Sequence, residues 1–158
     1  MRLTTGKHVV DWVANELRSS FGEAVGIGMQ KWDRVHKVWK LCGGVVYESY
    51  NGVNVVCHVA SDGSKRWMNR EFLWAIFDYP FNVQKVSRIT VPIAVSNKDS
   101  IKFVENLGFT FETLLKDAHP SGNLLFFVAR KPCAERWLNL KVRQWTGRGF
   151  EKHLDKAA

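Results

Sequence analysis

The polar loop before residue 67 has the residue types of an anion-binding site. Residues 62–66 read Asp-Gly-Ser-Lys-Arg and connect a strand to an apolar segment predicted to be a helix from Trp67 to about Phe77. The N-terminus of a helix carries unpaired N–H groups and the positive end of the helix dipole, which attract anions. The loop therefore predicts a phosphate site. An ordinary solvated loop with basic residues is the alternative, since neither a P-loop nor a GxGxxG motif is present.

A second stretch joins a strand, a capped helix and a Gly-Phe pair. Apolar residues alternate from Ile89 to Val95 and predict a strand. Ser96 or Asn97 follows and is predicted to cap a helix, because short polar side chains accept hydrogen bonds from first-turn N–H groups. Gly108 comes after the last apolar residue of that helix and supplies the left-handed conformation that ends helices.

The rest of the chain places these two stretches in a mixed sheet. A helix from Val9 to Arg18 precedes a block of three or four strands. Asn51-Gly52 within that block is typical of a type I′ hairpin turn, and the strand Val53 to Ala60 is apolar enough on both faces to be central. The last two strands are predicted over 109–115 and 124–129. This order predicts an α/β (α+β) domain with a mixed central sheet and helices on both faces.

The second stretch also resembles a known signature. Asn97, Ser100, Phe103, Gly108 and Phe109 stand in the pattern Asn-x-x-Ser-x-x-Phe-x-x-x-x-Gly-Phe, which resembles that of the GNAT N-acetyltransferases. Segments 67–81 and 133–138 are similar to the cofactor helix and the ending of GNAT proteins encoded by bacteriophages. The resemblance covers about residues 3–138, so the expected organisation is a GNAT-like domain over 1–138 and a basic C-terminal tail over 139–158.

The resemblance implies transfer of an acetyl group from acetyl-CoA to an amine of a small molecule or protein. Two parallel strands, 53–60 and 86–95, would splay apart and admit the pantetheine arm, and the loop before Trp67 would hold the pyrophosphate. Pro92 has no backbone N–H to donate to a neighbouring strand. It therefore fits either such a splay, where no acceptor faces that position, or an edge strand. The cofactor-binding residues implied in this way are Val56, Cys57, Val59, Gly63, Ser64, Lys65, Arg66, Trp67, Asn97, Ser100 and Phe103.

Acetyl transfer to an amine also needs a base. His58, on the predicted central strand, is the first candidate, because imidazole gains and loses protons near neutral pH. Glu48, across the Asn51-Gly52 hairpin, is the second. A core histidine bonded to backbone and a solvent-facing glutamate are the respective alternatives. Asp117 and His119 lie near the last hairpin, which borders the acceptor in the family, and a plain polar turn is their alternative.

Two departures from the family pattern bear on activity. Many members carry a tyrosine as general acid where this chain has Val104, and the phosphate loop has only one glycine, Gly63. Another group or water must then protonate the departing thiolate, or the reaction is slow or absent. The alternative function is a catalytically weak or inactive GNAT-fold protein that binds and modulates a bacterial host protein. Cys57 is expected to be a buried apolar residue, because it points away from the face that carries His58.

Composition limits the partners. The 158 residues carry 23 Lys and Arg against 15 Asp and Glu, a net charge of +8, and 13% of them are aromatic. Nucleic acid is not an expected partner, because no motif that reads it is present. No apolar run approaches the roughly 20 residues that cross a bilayer. The three cysteines are odd in number and far apart in sequence, which argues against a disulfide framework and fits a reducing cytoplasm, that of the host cell for a phage-encoded protein. No CxxC or HExxH pair is present, so a zinc site is not expected.

Overall fold

The computed structural model describes residues 1–142. In this part of the chain seven strands form: β1 (Arg2–Thr5), β2 (Ala24–Asp33), β3 (Val38–Glu48), β4 (Asn54–Ser61), β5 (Arg88–Ala94), β6 (Thr110–His119) and β7 (Gly122–Arg130). The α-helices are α1 (Lys7–Leu17), α2 (Arg70–Asp78), α3 (Lys98–Leu107) and α4 (Lys131–Leu138), and a π-helical turn over Tyr79–Val83 continues α2. The predicted basic tail lies outside the described residues except for residues 139–142.

The seven strands form one central mixed sheet, with the strand order β1-β2-β3-β4-β5-β7-β6. All neighbouring strands are antiparallel except β4 and β5, which are parallel and joined by the crossover helix α2. Helix α1 packs on one face of the sheet, against β1 to β4, and we call this side the α1 face. Helices α2, α3 and α4 share the core on the other side, the α2 face. The predicted fold class is therefore confirmed.

The two faces have cores of different size. On the α2 face, large side chains such as Phe72, Phe77 and Phe127 are fully buried. On the α1 face, Val9 and Val13 pack so closely on the sheet that glycines are required beneath them. A Cβ added at Gly26 would lie 2.8 Å from Val9, and one at Gly44 would lie 2.9 Å from Val13. These glycines therefore let α1 lie directly on the backbone of β2 and β3.

Local signals placed several element ends correctly. The Asn97 side chain caps α3, where its Oδ1 accepts from the Ser100 N–H at 3.1 Å. Gly108 ends the same helix in the left-handed conformation, with φ 101°. The helix predicted over 9–18 also ends as expected, since α1 ends at Leu17 with Arg18 as its C-cap, although it begins two residues earlier, at Lys7.

Other predicted boundaries were wrong. Helix α2 begins at Arg70 and not at Trp67, because the Asn69 side chain caps it by accepting from the Phe72 N–H at 2.9 Å. Beyond Asp78 the helical path continues through Pro80 as the π-helical turn. Strand β1 and helix α4 were not predicted, and β3 runs through Gly43 as one strand.

The hairpin at Asn51-Gly52 forms, but its turn is not type I′. Type I′ needs positive φ angles at both central residues, and of these two only Gly52 has one, at 92°. Asn51 instead uses its Oδ1 to accept from the N–H groups of Val53 at 3.1 Å and Asn54 at 2.8 Å. The connection between β3 and β4 is therefore longer than a two-residue turn. Among residues 1–142, no helix combines the length and the apolar composition needed to span a membrane.

Candidate active site

The parallel strands β4 and β5 separate soon after they begin. Three residue pairs hold them together, Asn54 with Arg88, Val55 with Ile89, and Val56 with Thr90. Beyond these pairs β4 stays bonded to β3 as far as Ser61, and β5 stays bonded to β7 as far as Ala94. The edges of β4 and β5 that face each other thus have no strand partner past Val56 and Thr90, and the predicted splay is present.

Pro92 lies within this open part of β5. The strand has neighbours on both sides, β4 and β7, so the edge-strand interpretation of Pro92 is wrong. Pro92 stands beside Phe126 of β7, two residues past the last pair with β4. A proline is tolerated here because the gap presents no partner that an N–H group would serve.

An apolar crevice opens on the α2 face of the splay, between the sheet and helices α2 and α3. Its empty volume, open solvent included, is about 370 Å³. The residues that line it are Val45, Tyr47, Cys57, Val59, Met68, Ile76, Phe77, Ile89, Val91, Phe103, Val104, Leu107 and Phe109. Hydrocarbon therefore dominates its surface, and only Tyr47 and Cys57 bring a hydroxyl and a thiol.

Both of these polar groups stay protonated near neutral pH. The Tyr47 hydroxyl donates a hydrogen bond to the carbonyl oxygen of Ile76, and burial raises the pKa of Tyr47 well above its ordinary value. Burial likewise raises the pKa of the Cys57 thiol to about 12. Cys57 is buried, as the sequence predicted, and a neutral thiol is a poor nucleophile.

The two candidate bases meet on the α1 face. His58 and Glu48 are diagonal neighbours across β3 and β4, since His58 pairs with Val46 and Glu48 pairs with Val56. The His58 Nε2 donates to the Glu48 carboxylate over 2.7 Å, and the two side chains are 21% and 24% exposed. This bond leaves Nδ1 as the ring nitrogen with the free lone pair. His58 is thus bound to a carboxylate and not to backbone.

Phe21 packs against this pair, a contact that nothing in the sequence indicates. Its ring lies 4.9 Å from the His58 ring, centroid to centroid, and reaches it from the segment between α1 and β2. The position of a phenylalanine in a short loop does not indicate which side chain it will contact. Tyr47 was also missed, because an apolar strand with one tyrosine does not reveal which neighbour its hydroxyl will reach.

The loop over 62–69 leads from β4 to α2 and carries exposed cations. Lys65, Arg66 and Arg70 are exposed, and Gly63 takes the left-handed conformation with φ 82°. The Asp62 Oδ1 accepts from the Ser64 N–H at 2.9 Å, and its carboxylate forms an ion pair with Lys31. Burial raises the pKa of Asp62, but the hydrogen bonds from Lys31 and Ser64 outweigh it and hold that pKa below its usual value.

Trp67 fixes this loop to the core. Its indole is 7% exposed and covers Gly43, where any Cβ would overlap the ring. It packs on Phe72 at 5.2 Å and Phe103 at 6.3 Å between ring centroids. The loop, α2 and α3 are therefore linked through one buried side chain.

The remaining predicted residues lie at the far end of the splay and at the last hairpin. Asn97 and Ser100 form the N-cap of α3, and Val104 is 3% exposed in the crevice wall. Asp117 has φ 53° and donates its N–H to Asn123 Oδ1, while His119 Nδ1 accepts from the Ser121 hydroxyl at 2.8 Å. Asp117 and His119 thus shape the turn between β6 and β7.

Comparisons with known proteins agree with this architecture. The model described as "Acetyltransferase (GNAT) domain" matches residues 41–126, more than half of the chain and the part that contains the splay, α2 and α3. A search of the curated proteins finds no match.

Several solved structures share the fold. A chimera of the spermidine N-acetyltransferase SpeG from Vibrio cholerae and hSSAT is 14% identical, with a TM-score of 0.65 over 88% of this chain and 100% of that one. The manganese complex of Vibrio cholerae spermidine/spermine N-acetyltransferase SpeG is 15% identical, with a TM-score of 0.62 over 87% and 96%. The ribosomal-protein-S5-alanine acetyltransferase from Vibrio fischeri is 18% identical, with a TM-score of 0.54 over 68% and 62%. With the splay in place and the domain model matched along it, the chain belongs to the GNAT acetyltransferase family.

Proposed function

We propose that the protein is an N-acetyltransferase that uses acetyl-CoA to acetylate an amine. The observation that carries this proposal is the position of the His58–Glu48 pair. His58 follows Val56, the last residue of β4 that pairs with β5, by two positions, so the pair stands beside the open splay. A base beside a slot for an extended thioester is the arrangement that acetyl transfer requires.

The open edges suit the donor. An extended pantetheine arm can bond to the unpaired edge of β4 over residues 57–61 as an added strand would. Cys57 and Val59 would contribute backbone there, and Val56, in the last pair with β5, would border the end of the arm. Phe103 would add an apolar surface. The phosphates would lie near Lys65 and Arg66, with Gly63, Ser64 and the backbone of Trp67 in the same loop and the N–H groups that open α2 beyond it. Asn97 and Ser100 would meet the cofactor past the splay.

The chain's own residues supply the proton chemistry. Acetyl-CoA, when bound, supplies an activated acetyl group whose carbonyl carbon the amine lone pair attacks, so that a C–N bond forms, the C–S bond breaks and CoA leaves as a thiolate. His58 takes the proton that the amine loses at Nδ1, and the Glu48 carboxylate stabilises the resulting imidazolium. N–H groups on the open edge of β4 are the available donors for charge on the carbonyl oxygen.

The thiolate must then gain a proton from a group other than residue 104. The Val104 side chain is hydrocarbon and is buried in the crevice wall, so it cannot act as an acid. The imidazolium of His58 supplies the proton, directly or through a water molecule that relays it. This returns His58 to the neutral base and balances the reaction.

Calorimetry with acetyl-CoA, followed by thiol release in the presence of amines, tests the proposal. We expect saturable binding and amine-dependent release, and we expect His58→Gln to bind acetyl-CoA normally but to lose turnover about 10²-fold. His8→Gln, an exposed histidine of α1, is the matched control. The absence of acetyl-CoA binding at millimolar concentration overturns the proposal.

A second candidate function is binding without turnover. Val104 and the single glycine of the 62–66 loop favour it, because both depart from the pattern of active family members. In this alternative a phage-encoded protein docks on a bacterial host protein in the host cytoplasm and modulates it. A stable stoichiometric partner captured from bacterial lysate, with inhibition that survives Arg66→Glu, supports this candidate. Multiple turnover of an amine in the assay above counts against it.

A further inference from the structure

The splay leaves His58 with a strand neighbour on one side only. Across β3 and β4, His58 pairs with Val46. If the ladder between β4 and β5 continued in register beyond its last pair, the residue beside His58 on the other side would be Pro92. The ladder ends before that point, so strand pairing brings no side chain of β5 (Arg88–Ala94) against the imidazole. On this side the ring needs support from outside the sheet.

Phe21 provides a contact from outside the sheet. Its ring centroid lies 4.9 Å from that of His58, with 36° between the two ring planes, which is within the range of favourable aromatic pairs. Phe21 is half-buried, so its own position is held by packing. The buried residues that it packs against form the core of the α1 face, namely Val9, Val10, Val13, Val46 and Ala60.

The segment that carries Phe21 is anchored at both ends. At the end of α1, the N–H of Ser19 donates back into the helix at 2.9 Å. Three residues after Phe21, Ala24 begins β2 and pairs with Glu48 of β3. The strand that carries the carboxylate partner of His58 thus also fixes the end of the segment from which Phe21 reaches the imidazole.

The two contacts of His58 restrain different features of its ring. The bond from Nε2 to the Glu48 carboxylate, at 2.7 Å, holds one atom of the imidazole but leaves the ring plane free to turn. The ring of Phe21 opposes that turning, because a tilted imidazole would collide with it or lose the contact. It also keeps water from competing for the Nε2–H. Together the two contacts leave Nδ1 as the free nitrogen in one ring orientation.

We infer that Phe21 is a positioning residue, which holds the plane of the His58 imidazole so that Nδ1 can accept the proton of the amine. This inference rests on the proposed function, because Phe21 acts only through His58. Its loss leaves the base present but spread over several orientations. Since small misplacements of a catalytic group are costly, the effect falls on kcat and not on the binding of either substrate.

Thiol release with acetyl-CoA tests this role, with the fastest-reacting amine among spermidine, phenylethylamine and a peptide with N-terminal alanine as the acceptor. We expect Phe21→Ala to lower kcat about tenfold with little change in KM. Phe21→Leu, which keeps apolar bulk but no flat ring, is the second variant and should show a similar fall. Phe21→Tyr keeps the ring and should restore most of the wild-type kcat.

Phe111→Ala is the matched control for the loss of an aromatic pair. Phe111 is 56% exposed on β6 and packs on Phe127 at 6.1 Å between ring centroids, so its removal should leave kcat unchanged. A rise in KM with unchanged kcat in Phe21→Ala would assign Phe21 to acceptor binding and overturn the inference. So would equal kcat values for Phe21→Ala and Phe111→Ala.

Removal of the imidazole separates positioning from general structural support. In the His58→Gln background, Phe21→Ala should cause no further loss of kcat, because no imidazole remains to be oriented. A structural role would lower the residual rate of the double variant by the same factor as it lowers the wild-type rate. Equal factors in the two backgrounds overturn the inference.

Proton NMR separates this inference from the proposed function, because it needs no turnover. The Nε2–H of His58, bonded to Glu48, should give a low-field resonance that exchanges slowly with water in the wild-type protein and in Phe21→Tyr, and faster in Phe21→Ala. If no amine is acetylated, the proposed function fails and this comparison alone decides the role of Phe21. Absence of the resonance in the wild-type protein, or the same exchange rate in Phe21→Ala, overturns the inference.

Discussion

Val56 and Thr90 form the last pair of the parallel ladder between β4 and β5. At the start of β5, the N–H of Arg88 donates to the carbonyl oxygen of Val53, on the β4 side. Just past the end of β5, the N–H of Val95 donates to the carbonyl oxygen of Asn123 in β7, on the other side. Even-numbered residues of β5 therefore direct their N–H groups toward β4. Pro92, the next even position after Thr90, has no N–H to offer. The ladder between β4 and β5 therefore ends just before the position where the backbone N–H donor toward β4 is missing.

Replacing this proline should weaken acetyl-CoA binding. Pro92→Ala adds an N–H aimed at β4, so that the ladder can extend by one hydrogen bond of about 1 kcal/mol that the ligand must then break. We expect calorimetry to show about fivefold weaker binding of acetyl-CoA. Pro132→Ala, at the start of α4, is the matched control. Unchanged affinity together with fast hydrogen exchange at residue 92 would show that the proline does not hold the strands apart.

The contact between Trp67 and Gly43 gives a stability prediction. Gly43→Ala places a methyl group in the space of the indole ring, which is packed between the sheet, Phe72 and Phe103. Overpacking of this kind costs about 1–3 kcal/mol, so we expect a lower Tm and weaker acetyl-CoA binding through the displaced loop. Gly22→Ala, where an added Cβ meets nothing within 4 Å, should leave both unchanged. Equal Tm values for the two variants would contradict this role of Gly43.

The same contact shows what the sequence could and could not predict. Asn97 and Gly108 act on their own helix, so their types and spacing were enough to place the ends of α3. Trp67 begins an apolar run and was taken as the start of a helix, but its ring packs on Gly43, which is distant in sequence. Gly43 and Gly44 lie inside β3, where each makes room for a side chain from another element. These contacts depend on tertiary packing that no local pattern encodes.

The candidate site, like the fold, could be predicted from the sequence only in part. His58 and Glu48 were chosen for their chemistry, and the register of β3 against β4 brings them within hydrogen-bonding distance. Phe21 comes from a loop whose path is set by α1 and β2, so its contact with His58 could not be predicted. The roles of the residues predicted to bind acetyl-CoA stay predictions.

We expect the negative charge of the Glu48 carboxylate to support catalysis. In Glu48→Gln the amide oxygen can still accept from His58 Nε2 but no longer stabilises the imidazolium, so we expect kcat for amine acetylation to fall about tenfold with little change in KM. Glu23→Gln, an exposed carboxylate in the loop before β2, is the control. A rise in KM without a fall in kcat would assign Glu48 to acceptor binding and not to support of the base.

The turn between β2 and β3 gives a prediction about acid stability. Asp33 accepts from the Lys40 ammonium at 2.5 Å and from His36 Nδ1 at 2.8 Å, and these bonds hold the pKa of Asp33 well below its usual value. A carboxylate whose pKa is lowered by folding stabilises the protein above its unfolded-state pKa and loses this effect as the pH falls. We therefore expect Asp33→Asn to lower Tm at about pH 6, and the difference from the wild-type protein to shrink at about pH 2.5. Thermal unfolding followed by circular dichroism at both pH values measures this, and a difference that stays constant or grows in acid would rule out the charge of Asp33 as its source.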